Sequence, residues 1–296
     1  MPNDLVNRVR NCLQLGALGD ALGSCSEGQP TGAPTTSAPG NITDDTQMTI
    51  ATCNAIVVAQ RVDPETIAAE FARWHRQRRF TGLGSSTLKS LTELAAGQHW
   101  ALAGAKGERA AGNGAAMRIA PLAFCLNPFD VDDRRVIRDV CRITHHHDEA
   151  YLGALAICQA IHLVAIQHTP LGDVLAKIGQ SLPDCRVRDR LRELERLERN
   201  TPLAEVATKF GNTGYVVDSV PLAIFAASKF QNSIEQLLRD VVICGGDADT
   251  NAALTGQIIG AAGADLMSVR LLLEQVEELP EYLSTIEAFA KWRQHN

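Results

Sequence analysis

Apolar residues return every third or fourth position along almost the whole chain, and alternation with a period of two is weak everywhere. That periodicity commits the chain to helices. It predicts them over residues 3–22, 46 to about 61, from Asp63-Pro64 onward, over 85–97 and from about 115. Later ones fall at 133–143, 148–167, 170–180, 187–198, 218–230, 233–242 and 249–266, with a C-terminal pair after Ser268. Asp63-Pro64 supplies a cap and a first-turn proline, and residues 26–41, rich in Pro, Gly, Ser and Thr, form a loop. No low-complexity linker or internal repeat divides the sequence. The expectation is an all-α fold, with residues 1–296 forming one compact domain of many modest helices.

Composition narrows the function classes. The chain is 45% hydrophobic and 21% charged, with a formal net charge of -6 and no long basic run. This argues against a dedicated nucleic-acid or membrane surface. The start, MPNDLVNRVR, has no apolar signal core, and no apolar run reaches membrane-spanning length. None of the eight cysteines forms a CxxC pair, and several sit within apolar helical patterns. Reduced, mostly buried thiols in a cytoplasmic protein are expected. The charged run at 186–200 has the spacing of a solvated amphipathic helix.

Two acidic stretches carry the chemistry. ITDDTQMTI places Asp44 and Asp45 side by side between two threonines and against apolar residues. Adjacent carboxylates repel, and partial burial adds a desolvation cost, so a source of positive charge is implied. CGGDADTNAALTGQIIGAAGA places Asp247, Asp249 and Thr250 after two glycines, before a helix with Gly256, Gly260 and Ala264 at four-residue spacing. Small residues at that spacing let another helix approach closely, and Gly246 permits a turn that other residues resist. Taken alone, each acidic turn reads as a capped helix start. Converging, they would supply hard oxygen ligands suited to Mg²⁺ or Mn²⁺, and more than one ion to balance the charge.

Other residues surround these turns. Glu27 is a fifth candidate ligand, otherwise a solvated loop residue, and Asp20 reads as an acceptor for backbone amides rather than a metal ligand. GNGAAMR, residues 112–118, puts glycines before a helix, a place where exposed amides favour a phosphate. Arg118 could meet that phosphate or anchor a carboxylate. In ITHHHDEAY, consecutive histidines diverge, so one of the three is expected in a pocket and the others in solvent.

GALGDALGSCSEG, ITDDTQMTI, GNGAAMRIAPLAF, ITHHHDEAYLGALA, GYVVDSVPLAIFA and GGDADTNAALTGQIIGAAGA occur in this order. Together they resemble the ADP-ribosylglycohydrolase family, which includes the dinitrogenase-reductase-activating glycohydrolases. The resemblance implies a compact all-α fold with a two-ion Mg²⁺ or Mn²⁺ centre at the bottom of a cleft. It maps metal ligands onto Thr43, Asp44, Asp45, Asp247, Asp249 and Thr250. It places Glu27 at the metals in a catalytic or gating role. It lines the ADP-ribose site with Gly112, Asn113, Gly114 and Met117, and adds His145 and Tyr215. The implied reaction is hydrolysis of the bond between ADP-ribose and a protein side chain by a monomer. Ala110 and Ala111 stand where some relatives carry a polar or acidic residue that helps hold substrate, so the acceptor stays open: arginine, serine, another side chain, a small ADP-ribose compound or nucleic acid. A non-catalytic ADP-ribose binder and a crystallin-like structural protein are the rival readings. Both would predict lost ligands, and every mapped acidic position is present.

Overall fold

A computed structural model describes residues 2–198 and 200–295. The chain is all-α. Fifteen α-helices run, among the described residues, in the order α1 Pro2–Ser24, α2 Asp44–Ala59, α3 Pro64–Arg76, α4 Ser85–Ala95, α5 Ala120–Cys125, α6 Val131–Arg142, α7 Asp148–Ala165, α8 Val174–Ser181, α9 Arg186–Glu195, α10 Leu203–Phe210, α11 Val216–Ser228, α12 Ile234–Val242, α13 Ala248–Ala261, α14 Arg270–Leu273 and α15 Leu279–His295. The only sheet among these residues is a parallel pair of two-residue strands, Ala105–Lys106 beside His145–His146.

Most ends fall within two residues of the sequence expectation, and the differences have local causes. α2 begins at Asp44 rather than Thr46 because Thr43 is its cap. α13 stops at Ala261 because Gly263 turns left-handed at φ 97. The helix expected near Ala115 is first a 3₁₀ turn, Asn113–Ala115, and becomes α-helical only at Ala120, next to Pro121.

α7 and α13 are buried on nearly every side, the mark of central helices. Along α13 the buried polar groups find carbonyls. Thr255 Oγ1 donates to Asn251 O (2.8 Å), and Gln257 Nε2 donates to Met117 O (3.0 Å). α9 turns Val187, Leu191 and Leu194 inward and its charges outward, as its spacing predicts. All eight cysteines are unpaired. Five are buried, while Cys25 is exposed in the turn after α1. Among the described residues no helix is long and apolar enough to cross a membrane.

α1 lies along α13 with backbone against backbone. A Cβ on Gly256 would stand 2.1 Å from the Leu15 carbonyl oxygen, which cannot yield without moving α1. Alanine at a helix interior gains about 1 kcal/mol over glycine. The overpacking costs about 1–3 kcal/mol and wins. Gly256→Ala is therefore expected to lower the melting temperature by roughly 2–6 °C in a thermal melt. An unchanged or raised melting temperature contradicts the close contact.

Candidate metal centre and cleft

The first acidic turn is built by a cap. Thr43 is extended (φ -107, ψ -169), and its hydroxyl accepts from Asp45 N at 3.4 Å. Asp44 and Asp45 thus occupy the first turn of α2, where free amides favour anions. The second turn is built by glycines. Gly245 and Gly246 both take positive φ, 68 and 65, and swing the chain from α12 into α13. Asp247 then precedes the helix, with Asp249 and Thr250 in its first turn.

The two turns meet. Thr250 Oγ1 donates to Asp45 Oδ2 at 3.2 Å across 205 residues of sequence. Carboxylate oxygens of Glu27, Asp247 and Asp249 lie within 4.8 Å of one another, a group able to hold a metal ion. Asp44 and Asp45 are 6% and 3% exposed, and Asp45 Oδ1 is buried with no hydrogen-bond partner. An orphaned carboxylate oxygen among four other acids has no stabilising role without a cation. Burial first, then the neighbouring carboxylates, pushes Asp44, Asp45 and Asp249 well above the ordinary carboxylate range. Glu27, more open to water, is raised by burial and by Asp247.

These acids floor one side of a cavity of about 510 Å³. The turn Gly112–Gly114, Met117 and His145 also line it. Backbone pairing holds that turn: Asn113 N donates to Gly214 O (3.0 Å), and Val216 N to Ala111 O (3.0 Å). Asn113 Nδ2 also donates to Asp247 Oδ2 at 2.7 Å, so the glycine turn is tied to the acidic one. Gly114 packs on the His145 ring and the Thr87 hydroxyl. His145 shares a hydrogen bond with Thr144 Oγ1 (2.8 Å). Burial first, then Arg118, holds His145 down at about 3, so its ring is neutral at physiological pH.

Several expected residues land differently. Thr43 does not line the cavity; its hydroxyl donates to Asp20 Oδ1 at 2.8 Å and keeps a lone pair. Tyr215 does not line it either. Its backbone bridges Gly112, and its hydroxyl accepts from Arg186 at 3.3 Å. Arg118 does not line the cavity and donates to no carboxylate. It is 1% exposed, donates to the carbonyls of Gly114 and Val140, and lies over the Phe71 ring at 5.2 Å. Of the three histidines only His145 reaches the cavity, as expected. The other two are engaged: His146 contacts Ala103 O, and His147 caps α7 by accepting from Glu149 N. Ala110 and Ala111 are buried and do not line the cavity.

Sequence reasoning missed one wall. Gly82, Gly84, Ser85, Ser86 and Thr87 line the cavity at the start of α4, whose Gly84 cap offers no side-chain hydrogen bond. The glycines before Ser85 were the available signal, since they leave first-turn amides free for an anion. Arg109 at the rim is the one Lys or Arg among the lining residues.

The ADP-ribosylglycohydrolase family profile matches residues 1–294. The ADP-ribosyl-[dinitrogen reductase] glycohydrolase of Rhodospirillum rubrum is 28% identical, over 75% of this chain and 69% of that protein. Human ADP-ribosylhydrolase ARH3 is 25% identical, over 86% of this chain and 85% of that protein. A solved structure titled "ADP-ribosylglycohydrolase-related protein complex" superposes with a TM-score of 0.78 at 25% identity, covering 98% of this chain and 99% of that one. With a match over nearly its whole length, and with both acidic turns of its sequence brought to one cavity, the chain belongs to the ADP-ribosylglycohydrolase family.

Proposed function

We propose that the protein is a metal-dependent hydrolase that removes ADP-ribose from a modified side chain, cleaving at the anomeric carbon of the distal ribose. One observation carries this reading: an all-oxygen acidic centre with an orphaned Asp45 oxygen and the start of α4, which has no side-chain cap, line a single cavity. The first suits hard cations and the second suits a diphosphate. ADP-ribose presents both chemistries at once, as vicinal hydroxyls and a diphosphate.

The donor set fits Mg²⁺ or Mn²⁺. Asp44, Asp45, Asp247, Asp249 and Thr250 would hold two ions, with Thr43 contributing through its remaining lone pair. When bound, such ions neutralise the carboxylates, grip ribose hydroxyls and make a water more acidic. The first-turn amides at Ser85–Thr87 hold the diphosphate and fix the reacting bond against the centre, with Gly112–Gly114 lining the ADP-ribose site beside them. Neutral His145 backs that turn without adding charge. Glu27, exposed at the cavity edge beside Asp247 and Asp249, takes a proton from the attacking water or steers the substrate. Cleavage builds oxocarbenium character at the anomeric carbon.

A release assay tests the reading. Purified protein with Mg²⁺ or Mn²⁺ is presented with arginine-, serine- and nucleic-acid-linked ADP-ribose. Release from at least one is expected, and it stops with chelator. Binding of ADP-ribose without release from any would make the protein a binder, and neither would leave a structural role. Glu27→Gln is expected to keep cation binding and to lose about 10²–10⁴-fold in turnover; full turnover would remove Glu27 as a base.

Stability gives a second check. A cation held at 100 times its Kd adds about 2.7 kcal/mol, roughly 5–10 °C in melting temperature. Asp45→Ala should abolish most of that increment. The pH dependence has a definite sign. Asp44, Asp45 and Asp249 titrate above their unfolded values, near pH 4. The folded state therefore keeps protons that the unfolded chain releases. That contribution is full below about pH 4 and is lost as pH rises through the raised values. Chelated protein is expected to melt higher at pH 5.5 than at pH 8, with the difference shrinking when Mn²⁺ is restored. A melting temperature that rises with pH in the chelated protein would contradict the clustered burial.

A further inference from the structure

Asp20 sits in α1, wholly buried, and belongs to none of the ligand positions. Its two oxygens accept hydrogen bonds from both threonines that bracket Asp44 and Asp45. Thr43 Oγ1 donates to Oδ1 at 2.8 Å, and Thr43 N lies 3.1 Å from Oδ2. Thr46 Oγ1 donates to Oδ2 at 2.6 Å, and Thr46 N at 3.2 Å. One turn further along α1, Gly23 touches the other acidic turn: a Cβ there would lie 2.4 Å from Asp249 N and Cα. A single helix thus meets both halves of the centre at positions three residues apart, about 4.5 Å along its axis.

We infer that Asp20 is a positioning residue for the metal centre: it fixes the Thr43–Thr46 turn to α1, so that Asp44 and Asp45 stand at a set distance from Asp247 and Asp249. The inference rests on the metal-centre reading above. The plain alternative is that Asp20 is only a cap for α2. Charge separates the two. Asn caps helices about as well as Asp, and α2 already has Thr43. A carboxylate is the worse choice for a mere cap here, because Asp44 and Asp45 feel its negative charge at close range. A buried charge beside like charges costs stability unless cations arrive to balance it. Asp20 therefore acts against the metal-free protein and in favour of the loaded one. It gives the hydroxyl of Thr43 a fixed acceptor, which aims that oxygen's lone pair away from α1. Partners behind metal ligands typically change affinity 10–100-fold when removed.

The test uses the full chain, stripped with chelator and titrated with Mn²⁺ alone, by calorimetry or by electron paramagnetic resonance of the free ion. Wild type is expected to bind. Asp20→Asn keeps the shape but turns a donor toward a donor. It is expected to raise the Mn²⁺ Kd at least tenfold while the metal-free protein stays folded, because the removed like charge offsets part of the lost hydrogen bonding. Thr46→Val removes one bond to Asp20 without touching a ligand and should weaken Mn²⁺ binding severalfold, while Thr46→Ser should restore it. That pair decides the matter if Asp20→Asn does not fold. An unchanged Kd in folded Asp20→Asn, or equal Kd values for Thr46→Val and Thr46→Ser, overturns the positioning role and leaves the centre intact. No Mn²⁺ binding by wild type overturns the metal-centre reading and this inference together.

Discussion

The fold turns on the direct contact between the backbones of α1 and α13. With no side chain between them at Gly256, the two helices have one register and one separation. Dispersion contacts at that distance are numerous and short-ranged, so a shift of even a methyl group is felt. Each acidic turn is then attached to this pair. α13 opens with Asp249 and Thr250, and α2 opens with Asp44 and Asp45, held through Asp20. Rigid helices, not loops, set the ligand geometry, as a centre of several charged oxygens requires.

The interior charge balance is unusual. Asp20, Asp44, Asp45 and Asp249 are buried within reach of one another. Among the described residues the one fully buried guanidinium, Arg118, gives its hydrogen bonds to carbonyls instead of to any of them. Burial pulls it down to about 10, and it stays charged at neutral pH. Arg118 braces the carbonyl of Gly114, a residue of the cavity lining. On the proposed reading, bound cations supply the positive charge that balances the carboxylates. The stability given up in burying the acids is the usual signature of a functional site.

Much of this was legible in the order of the residues. Helical period, the paired carboxylates, the Gly-Gly turn before Asp247 and the four-residue spacing of Gly256 and Gly260 are local patterns with local causes. Gly246 does adopt the left-handed turn that its position suggested. Asp20 does accept amide hydrogen bonds. What could not be read was partnership across distance. Nothing near residue 85 says that the start of α4 faces Asp44, and nothing near Arg118 says that its guanidinium points back toward Gly114 and Val140. Tyr215 looked like a cavity residue and instead serves through its backbone. His146 and His147 looked solvated and are engaged by Ala103 and Glu149. Those outcomes depend on which helices become neighbours, and that is settled by packing over the whole chain.

The hydrogen bond from Thr250 to Asp45 has a consequence for how the protein comes into being. It joins residues 205 positions apart, so the centre closes only after the chain has been made through α13. Contacts of such separation form late, because loop-closure entropy is lost before they reward it. Until then Asp44 and Asp45 are solvated at one end of a nascent chain, and the residues of the other turn do not yet exist. Electrostatic repulsion among the carboxylates is thereby postponed to the last stage of folding, when α1 is ready to receive α13. On the proposed metal-centre reading, a ribosome-bound chain ending short of Asp247 would carry half of the ligand set. Cation capture and completion of the fold would then be one event.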